Sequence, residues 1–144
     1  MLLKIQDSHI LKEVIEVFPS EVGKLFFLKR VVIIEINEGV HLNHKNAEQI
    51  FLKIKDFFGN KKRIGIISNR INNYSIQVLD YQKFFNYIPN IKLYGIVHYN
   101  KQHFYSYQIE KRFSPIPLQN YNTIDEALDY TLAMLNKNAF KRLA

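Results

Sequence analysis

The chain has 144 residues, of which 47% are hydrophobic and 23% charged, so it can form one domain with a full core. It contains no cysteine, which excludes disulfide scaffolds, cysteine-ligated zinc and thiol nucleophiles. The net charge of +7 would suit an acidic partner. We interpret most of it as codon bias on a solvated surface, because the abundant Ile, Lys and Asn residues share AT-rich codons.

The first part of the sequence predicts three β-strands. Residues 10–18 are rich in β-branched side chains and predict a strand that ends at Pro19. Residues 24–37 contain two apolar runs separated by Lys29-Arg30. These runs predict two further strands that form a hairpin.

The clearest predicted helix covers residues 44–58. Asn43 is a good N-cap, and apolar residues from Ala47 to Phe58 recur on one helical face. Gly59 follows, and glycine readily adopts the left-handed conformation that ends many helices.

The second half alternates strands and helices. The apolar runs 63–68 and 91–98 lack alternation, which is typical of strands buried on both faces in a parallel sheet. Residues 69–75 are polar and rich in Asn, and helices are predicted over 77–88 and 101–112.

The end of the chain predicts a short extended segment at 115–119 and then a last helix. Thr123 and Glu126 have the spacing of a capping box at its start. Gly65 and Gly95 occupy similar places in the two buried strands and predict close helix packing. No repeat or linker interrupts the pattern, so residues 1–144 are interpreted as one α/β domain.

Three local features resemble a known fold. They are the strand end Glu35-Ile36-Asn37-Glu38-Gly39 before a long helix, the polar segment after the 64–68 strand, and the closing run Tyr121-Asn122-Thr123-Ile124-Asp125-Glu126-Ala127-Leu128. Together with the element order, these resemble the STAS fold of sporulation-type anti-sigma-factor antagonists. The chain is most similar to the SpoIIAA-like (STAS/SEC14-type) family of small bacterial proteins, over roughly residues 9–136. The segment from Ile67 to Ser75 also resembles flavobacterial members of unknown function.

The resemblance implies a mixed sheet with an initial antiparallel hairpin, followed by alternating β-α units with helices mainly on one face. It also implies a regulatory, non-catalytic module that works through protein contacts or a small ligand. In anti-sigma-factor antagonists a serine at the start of the second helix is phosphorylated, and Ser75 is the nearest match. Here Tyr74 replaces the family's aspartate and Ile76-Gln77 replaces the small residues after the serine, so a plain capping or turn role for Ser75 competes with a phosphosite.

The polar segment is the candidate ligand or partner site, because the carboxyl ends of parallel strands are where open α/β sheets bind ligands. Its side chains could hold an anion or a polar head group, or the Asn residues could simply serve backbone turns. We expect an Arg70→Ala variant to keep its fold but lose the ligand. The predicted site residues are Ser68, Asn69, Arg70, Asn72, Asn73, Tyr74 and Ser75.

Two other function classes compete with this one. Ser68 and His98, with Glu35 as an orienting acid, could form a hydrolase site, although no nucleophile elbow is present. Basic and aromatic residues alternate over 99–112, as in binders of single-stranded nucleic acid, although a core helix with tyrosines gives the same pattern. A lipid-like ligand between the third helix and the sheet is a related alternative.

Several features set limits on cofactors, partners and location. His41 and His44 lack the further ligands that a metal site needs, and no phosphate-binding glycine motif is present, so neither metal nor cofactor is predicted. No apolar run is long enough to span a bilayer, and neither a secretory signal nor a lipidation motif is seen, which favours the cytoplasm. The edge of the initial hairpin offers a route to a homodimer.

Overall fold

A six-stranded mixed sheet organises the chain. In the computed structural model, which describes the backbone of residues 2–143 and the side chains of residues 2–137, the strand order is β1-β2-β3-β5-β7-β8. The strands are β1 (Glu16–Pro19), β2 (Gly23–Phe27), β3 (Val31–Ile36), β5 (Ile64–Asn69), β7 (Ile91–Val97) and β8 (Leu118–Tyr121). The first three pair antiparallel, and β3, β5, β7 and β8 run parallel. The predicted mixed α/β sheet with its initial hairpin is therefore confirmed.

The remaining elements connect these strands. A second, two-stranded parallel sheet is formed by β4 (His41–Leu42) and β6 (Ser75–Ile76). The α-helices are α1 (His44–Phe58), α2 (Tyr81–Asn86), α3 (Lys101–Glu110) and α4 (Ile124–Leu143). Short 3₁₀ turns occupy Ile5–Asp7, His9–Glu13 and Val78–Asp80.

The prediction of a strand over residues 10–18 is wrong in its first half. Ser8 Oγ accepts a hydrogen bond from the Ile10 backbone N–H, and this cap starts a 3₁₀ turn instead. Strand pairing begins only at Glu16, which lies opposite Phe27. A side chain that caps its own backbone thus outweighed the β-branched composition.

Local signals determine α1, whose predicted bounds and caps are confirmed. The Asn43 side chain accepts hydrogen bonds from the backbone N–H groups of Lys45 and Asn46. In return, the Asn46 side-chain oxygen accepts a hydrogen bond from the Asn43 backbone N–H. Gly59 ends the helix at φ 74°, in the left-handed region.

The two faces of the sheet carry different helices. Side chains of α1, α2 and α3 pack on one face, and α4 packs on the other with the segment 2–13, which we call the N-terminal strap. Gly65 lets α4 come close, because a Cβ there would lie 2.4 Å from Thr131 Cγ2. Gly95 instead faces the ring of Tyr121 on β8, so the prediction of helix packing holds for Gly65 and is wrong for Gly95.

The predicted helix over 77–88 is shorter than expected. Ser75–Ile76 belongs to a strand, Val78–Asp80 is a 3₁₀ turn, and α2 itself has 6 residues. Along residues 2–143, no helix has both the length and the apolar character needed to cross a bilayer.

Candidate functional site

A buried ion pair lies beneath the segment that follows β5. Arg70 leaves the carboxyl end of β5, and its Nη2 donates to Glu110 Oε1 of α3 at 2.6 Å, while Nη1 donates to Oε2. The two side chains are only 3% and 1% exposed. This fork-to-fork geometry satisfies both carboxylate oxygens.

Hydroxyl groups surround the ion pair and complete its hydrogen bonds. Ser106 Oγ and the Tyr81 hydroxyl both donate to Glu110, and the Tyr94 hydroxyl lies 3.4 Å from Arg70 Nη2. We call this set the polar cluster: Ser68, Arg70, Tyr74, Tyr81, Tyr94, Ser106 and Glu110, with the Ser68 and Tyr74 oxygens 2.8 Å apart.

The polar cluster keeps both charges. Burial would raise the pKa of Glu110, but the charge of Arg70 and the hydrogen bonds from Arg70, Ser106 and Tyr81 bring that pKa below its ordinary value of 4.5. Burial raises the pKa values of Tyr81 and Tyr94, so both hydroxyls remain protonated. At neutral pH the cluster therefore contains an ion pair held by neutral donors.

This arrangement corrects the expected exposure of the predicted site. Ser68, Asn69 and Arg70 were expected on an open loop, but they are 4%, 0% and 3% exposed. Arg70 already has a carboxylate partner, so it is not presented to an outside anion. The buried pair predicts instead that Arg70→Ala lowers the stability of the fold, because the substitution would leave Glu110 without its counter-charge.

The rest of the predicted segment forms a surface ridge that includes β6 and ends in the 3₁₀ turn at Val78–Asp80. From residue 72 to residue 79 the side chains alternate between half-buried and exposed. Tyr74, Ile76 and Val78 face inward and pack against the core. The outward-facing members are Asn73, Ser75, Gln77 and Leu79, which we call the docking ridge.

Backbone hydrogen bonds hold the docking ridge in place. The Ser75 N–H donates to Val40 O at 2.9 Å, and the Gln77 N–H donates to Leu42 O at 2.8 Å. The Gly39 N–H donates to the carbonyl of Asn73.

Side chains from the neighbouring turn and from α3 reach the ridge as well. Glu38 Oε1 accepts from the Asn73 N–H, and Asn72 donates its side-chain N–H to Ile36 O. His103 Nε2 lies 3.1 Å from Asn73 Oδ1. Burial lowers the pKa of His103, so this imidazole is neutral near pH 7.

Ser75 is not at a helix start. It lies in β6, exposed, with its Oγ 2.7 Å from His41 Nδ1, and α2 begins only at Tyr81. The capping interpretation is therefore wrong, and a phosphate on Ser75 would not lie at the start of a helix. Phosphorylation of Ser75 itself stays a prediction.

A small cavity lies between α1, α2 and the sheet, next to the polar cluster. Its volume is about 40 Å³, and its wall includes Ile36, Phe51, Phe84 and the aromatic rings of Tyr74 and Tyr94. A water molecule occupies about 10–15 Å³ by this measure, so the space suits a few waters. Pockets for organic ligands span about 300–1,000 Å³, so this cavity is too small for an organic ligand in this conformation.

A second buried polar group lies on the opposite face of the sheet. Glu35 of β3 accepts hydrogen bonds from Asn69 Nδ2 at 2.7 Å and from the Ile5 N–H at 2.9 Å. Asn69 also donates to Leu3 O and accepts from the Tyr99 hydroxyl at 2.7 Å. No hydrogen-bonded cation accompanies this carboxylate, and burial raises the pKa of Glu35.

The geometry does not support the hydrolase hypothesis, because the sheet separates Ser68 from Glu35. Ser68 faces α1 and α2, whereas Glu35 points toward the N-terminal strap. His98 Nδ1 contacts Asn120 at 3.5 Å, and its ring packs against Phe104. No hydrogen bond joins any two of the three proposed catalytic residues.

Of the four aromatic rings between residues 99 and 112, only that of Tyr105 is exposed for stacking on a nucleic-acid base. Tyr107 is buried, Tyr99 is bonded to Asn69, and Lys111 lies over the Tyr107 ring. Tyr105 is 60% exposed. Glu110, on the same helix, is buried and bonded to Arg70 in the polar cluster. The alternation in sequence thus arises from a core helix that carries a buried charge.

His41 and His44, the two histidines considered as metal ligands, each contact a different side chain. His41 contacts Ser75, and His44 Nδ1 lies 3.5 Å from Asp80 Oδ2. Within the part of the chain that the structure describes, no three His, Asp or Glu side chains gather as metal ligands would.

Sequence reasoning missed Glu110, Tyr81 and Leu79. The signal for Glu110 was present, because His103, Tyr107 and Glu110 follow helical spacing and are all buried. Apolar periodicity alone could not reveal this stripe, since two of its three members are polar.

Comparison with known proteins adds a fold-level likeness. No protein-family model and no curated protein matches the chain. A similar solved structure is that of an uncharacterized protein of the DUF3478 family with a SpoIIAA-like fold, from Shewanella loihica PV-4. It is 12% identical, the match covers 81% of this chain and 90% of that chain, and the TM-score is 0.49.

Proposed function

We propose that this protein is a non-catalytic regulatory module that docks a partner protein on the docking ridge. The observation that carries the proposal is the alternation of residues 72–79, in which inward side chains anchor the segment through β6 and the following 3₁₀ turn, and outward ones face solvent. A surface already fixed in its bound shape loses little conformational entropy on association.

The chemistry of the ridge favours a protein over a small ligand. Leu79 is 71% exposed and offers an apolar anchor, and the small polar side chains of Asn73, Ser75 and Gln77 offer hydrogen bonds. Arg70 is committed to Glu110, and the nearby cavity is too small for an organic ligand. Both features argue against an anion or a lipid at this place.

Site-specific photo-crosslinking in the source organism tests the proposal. A benzophenone side chain would replace Gln77 on the ridge or, as the matched control, Gln119, an exposed residue of β8. We expect a discrete covalent adduct from position 77 and none from position 119. The substitution Leu79→Asp should abolish the adduct, whereas Ile109→Asp, at an exposed residue on α3, should leave it intact.

Two results would count against a docking role for the ridge. One is equal adduct formation from positions 77 and 119. The other is an adduct from position 77 that Leu79→Asp leaves unchanged.

A further inference from the structure

The carboxyl ends of the central parallel strands already hold a peptide, and it is the chain's own N-terminal strap. Glu35, at the end of β3, accepts the Ile5 N–H, and Asn69, at the end of β5, donates to the Leu3 carbonyl. Tyr99 lies just beyond β7, and its hydroxyl fixes the Asn69 side chain by donating a hydrogen bond to Asn69 Oδ1. Three adjacent strands thus supply a carboxylate, an amide and a phenol at the position where open α/β sheets commonly bind ligands.

Main-chain atoms are what this site recognises. The carbonyl of residue 3 and the N–H of residue 5 are bound by an amide donor and a carboxylate acceptor, and neither contact depends on a strap side chain. Ile5 is 0% exposed and adds one apolar anchor, and Ile10, 1% exposed, adds a second. Any short peptide with this backbone turn and two apolar residues at that spacing offers the same chemistry.

The strap is lightly attached beyond these contacts. It consists of two 3₁₀ turns closed by local hydrogen bonds, and its ion pair between His9 and Asp125 is exposed on both sides. Opening of the strap therefore requires mainly that the Ile5 and Ile10 side chains leave the core.

The site is also incompletely filled. A pocket of about 160 Å³ remains beside the strap, with Lys4 and Gln6 on one side and Glu35 and Asn72 on the other. This pocket borders the Glu35 side chain that accepts the Ile5 N–H.

We infer that Glu35, Asn69 and Tyr99 form a peptide-binding site that the N-terminal strap occupies in cis, and that a partner segment takes the site when the strap is displaced. The strap then acts as an autoinhibitory plug. The inference concerns the face covered by α4 and does not depend on a partner at the docking ridge.

The test uses the full chain and a synthetic peptide. The labelled probe has the sequence of residues 2–13, and the control peptide carries serine in place of the residues equivalent to Ile5 and Ile10. The protein variant Ile5→Ser/Ile10→Ser weakens the strap and leaves Glu35, Asn69 and Tyr99 unchanged. A tethered segment has an effective concentration of roughly millimolar order, so the wild-type chain should bind the probe weakly.

The expected result is that the strap variant binds the probe at least about tenfold more tightly than the wild type, a factor worth about 1.4 kcal/mol. The control peptide should not bind, and adding Asn69→Ala to the strap variant should remove the gain. Hydrogen exchange should show fast amides at residues 3–10 with β3, β5 and β7 still protected, which separates strap release from unfolding.

Two outcomes would overturn the inference. In one, the strap variant is folded and its amides at residues 3–10 exchange fast, but it does not bind the probe, which shows that the site does not bind peptides. Equal probe binding by wild type and strap variant shows that the strap does not compete. If the double variant fails to fold, the single substitution Ile10→Ala provides the same comparison with a milder loss of packing.

Discussion

Two buried glutamates lie on opposite faces of the same sheet and are stabilised differently. Glu110 is paired with Arg70 and accepts hydrogen bonds from two hydroxyl groups. Its pKa is lowered despite its burial. Glu35 has an amide and a backbone N–H as partners, and its pKa is raised by burial. The first arrangement fixes the core, whereas the second places an acceptor against a segment that can leave.

The largest expected effect comes from breaking the ion pair. Glu110→Ala should lower the free energy of unfolding by about 3–5 kcal/mol, because Arg70 would stay buried without a counter-charge. Urea denaturation measures the change. The double variant Arg70→Met/Glu110→Leu should recover most of the loss, since it removes both charges together. A double variant as unstable as the single one would show that the pair is not the source of the stability.

A second effect concerns the close approach of α4 to the sheet. Gly65→Ala should cost about 1–3 kcal/mol, because the added methyl group would overlap Thr131 Cγ2. Combining it with Thr131→Ser removes that methyl group and should restore part of the stability. The midpoints of thermal and urea unfolding measure the stability of the two variants. If Gly65→Ala does not change the stability, α4 can shift freely away from the sheet.

The pH dependence should have opposite signs on the two faces. The pKa of Glu35 is raised in the fold, so its contribution to stability is present below the unfolded pKa, near 4.5, and is lost as the pH rises through the folded pKa. Glu35→Gln should therefore gain stability relative to the wild type as the pH rises from about 4 to 7.

The pKa of Glu110 is lowered in the fold, so its contribution is present above 4.5 and is lost as the pH falls through the folded pKa. The deficit of Glu110→Gln should accordingly be largest near neutral pH and shrink in acid. Urea midpoints of the wild type and both variants, measured across this range, provide the comparison. Parallel profiles for the two variants would contradict the distinction between the two carboxylates.

The smallest expected effect on stability comes from the docking ridge. Leu79 is 71% exposed, so Leu79→Asp should change the free energy of unfolding by less than about 0.5 kcal/mol. The same variant should lose the crosslink from position 77. A large loss of stability would mean that Leu79 supports the fold rather than a partner.

Elements defined by local patterns were predictable from the sequence. The bounds of α1, its Asn43 cap and its Gly59 end followed from side chains within one or two turns. The buried strands β5 and β7 and the hairpin of β2 and β3 followed from apolar runs. The Thr123 half of the predicted capping box was also confirmed, since the Glu126 N–H donates to Thr123 Oγ1.

The candidate site was only half predictable. The sequence placed a polar segment at the end of β5, and the structure keeps Asn73 and Ser75 there on an exposed ridge. It could not show that Arg70 is buried, because the partner Glu110 lies 40 residues away on another element. A binding role for any of these residues stays a prediction.

The sequence by itself determined which segments become strands and helices, because capping, turn chemistry and apolar periodicity act over a few residues. Only the tertiary structure decided which polar groups meet: Arg70 with Glu110 on one face, and Glu35 with Asn69 and the N-terminal strap on the other. The physical reason is desolvation. A buried charge needs partners wherever the packed chain provides them, and such partners carry no fixed spacing in the sequence.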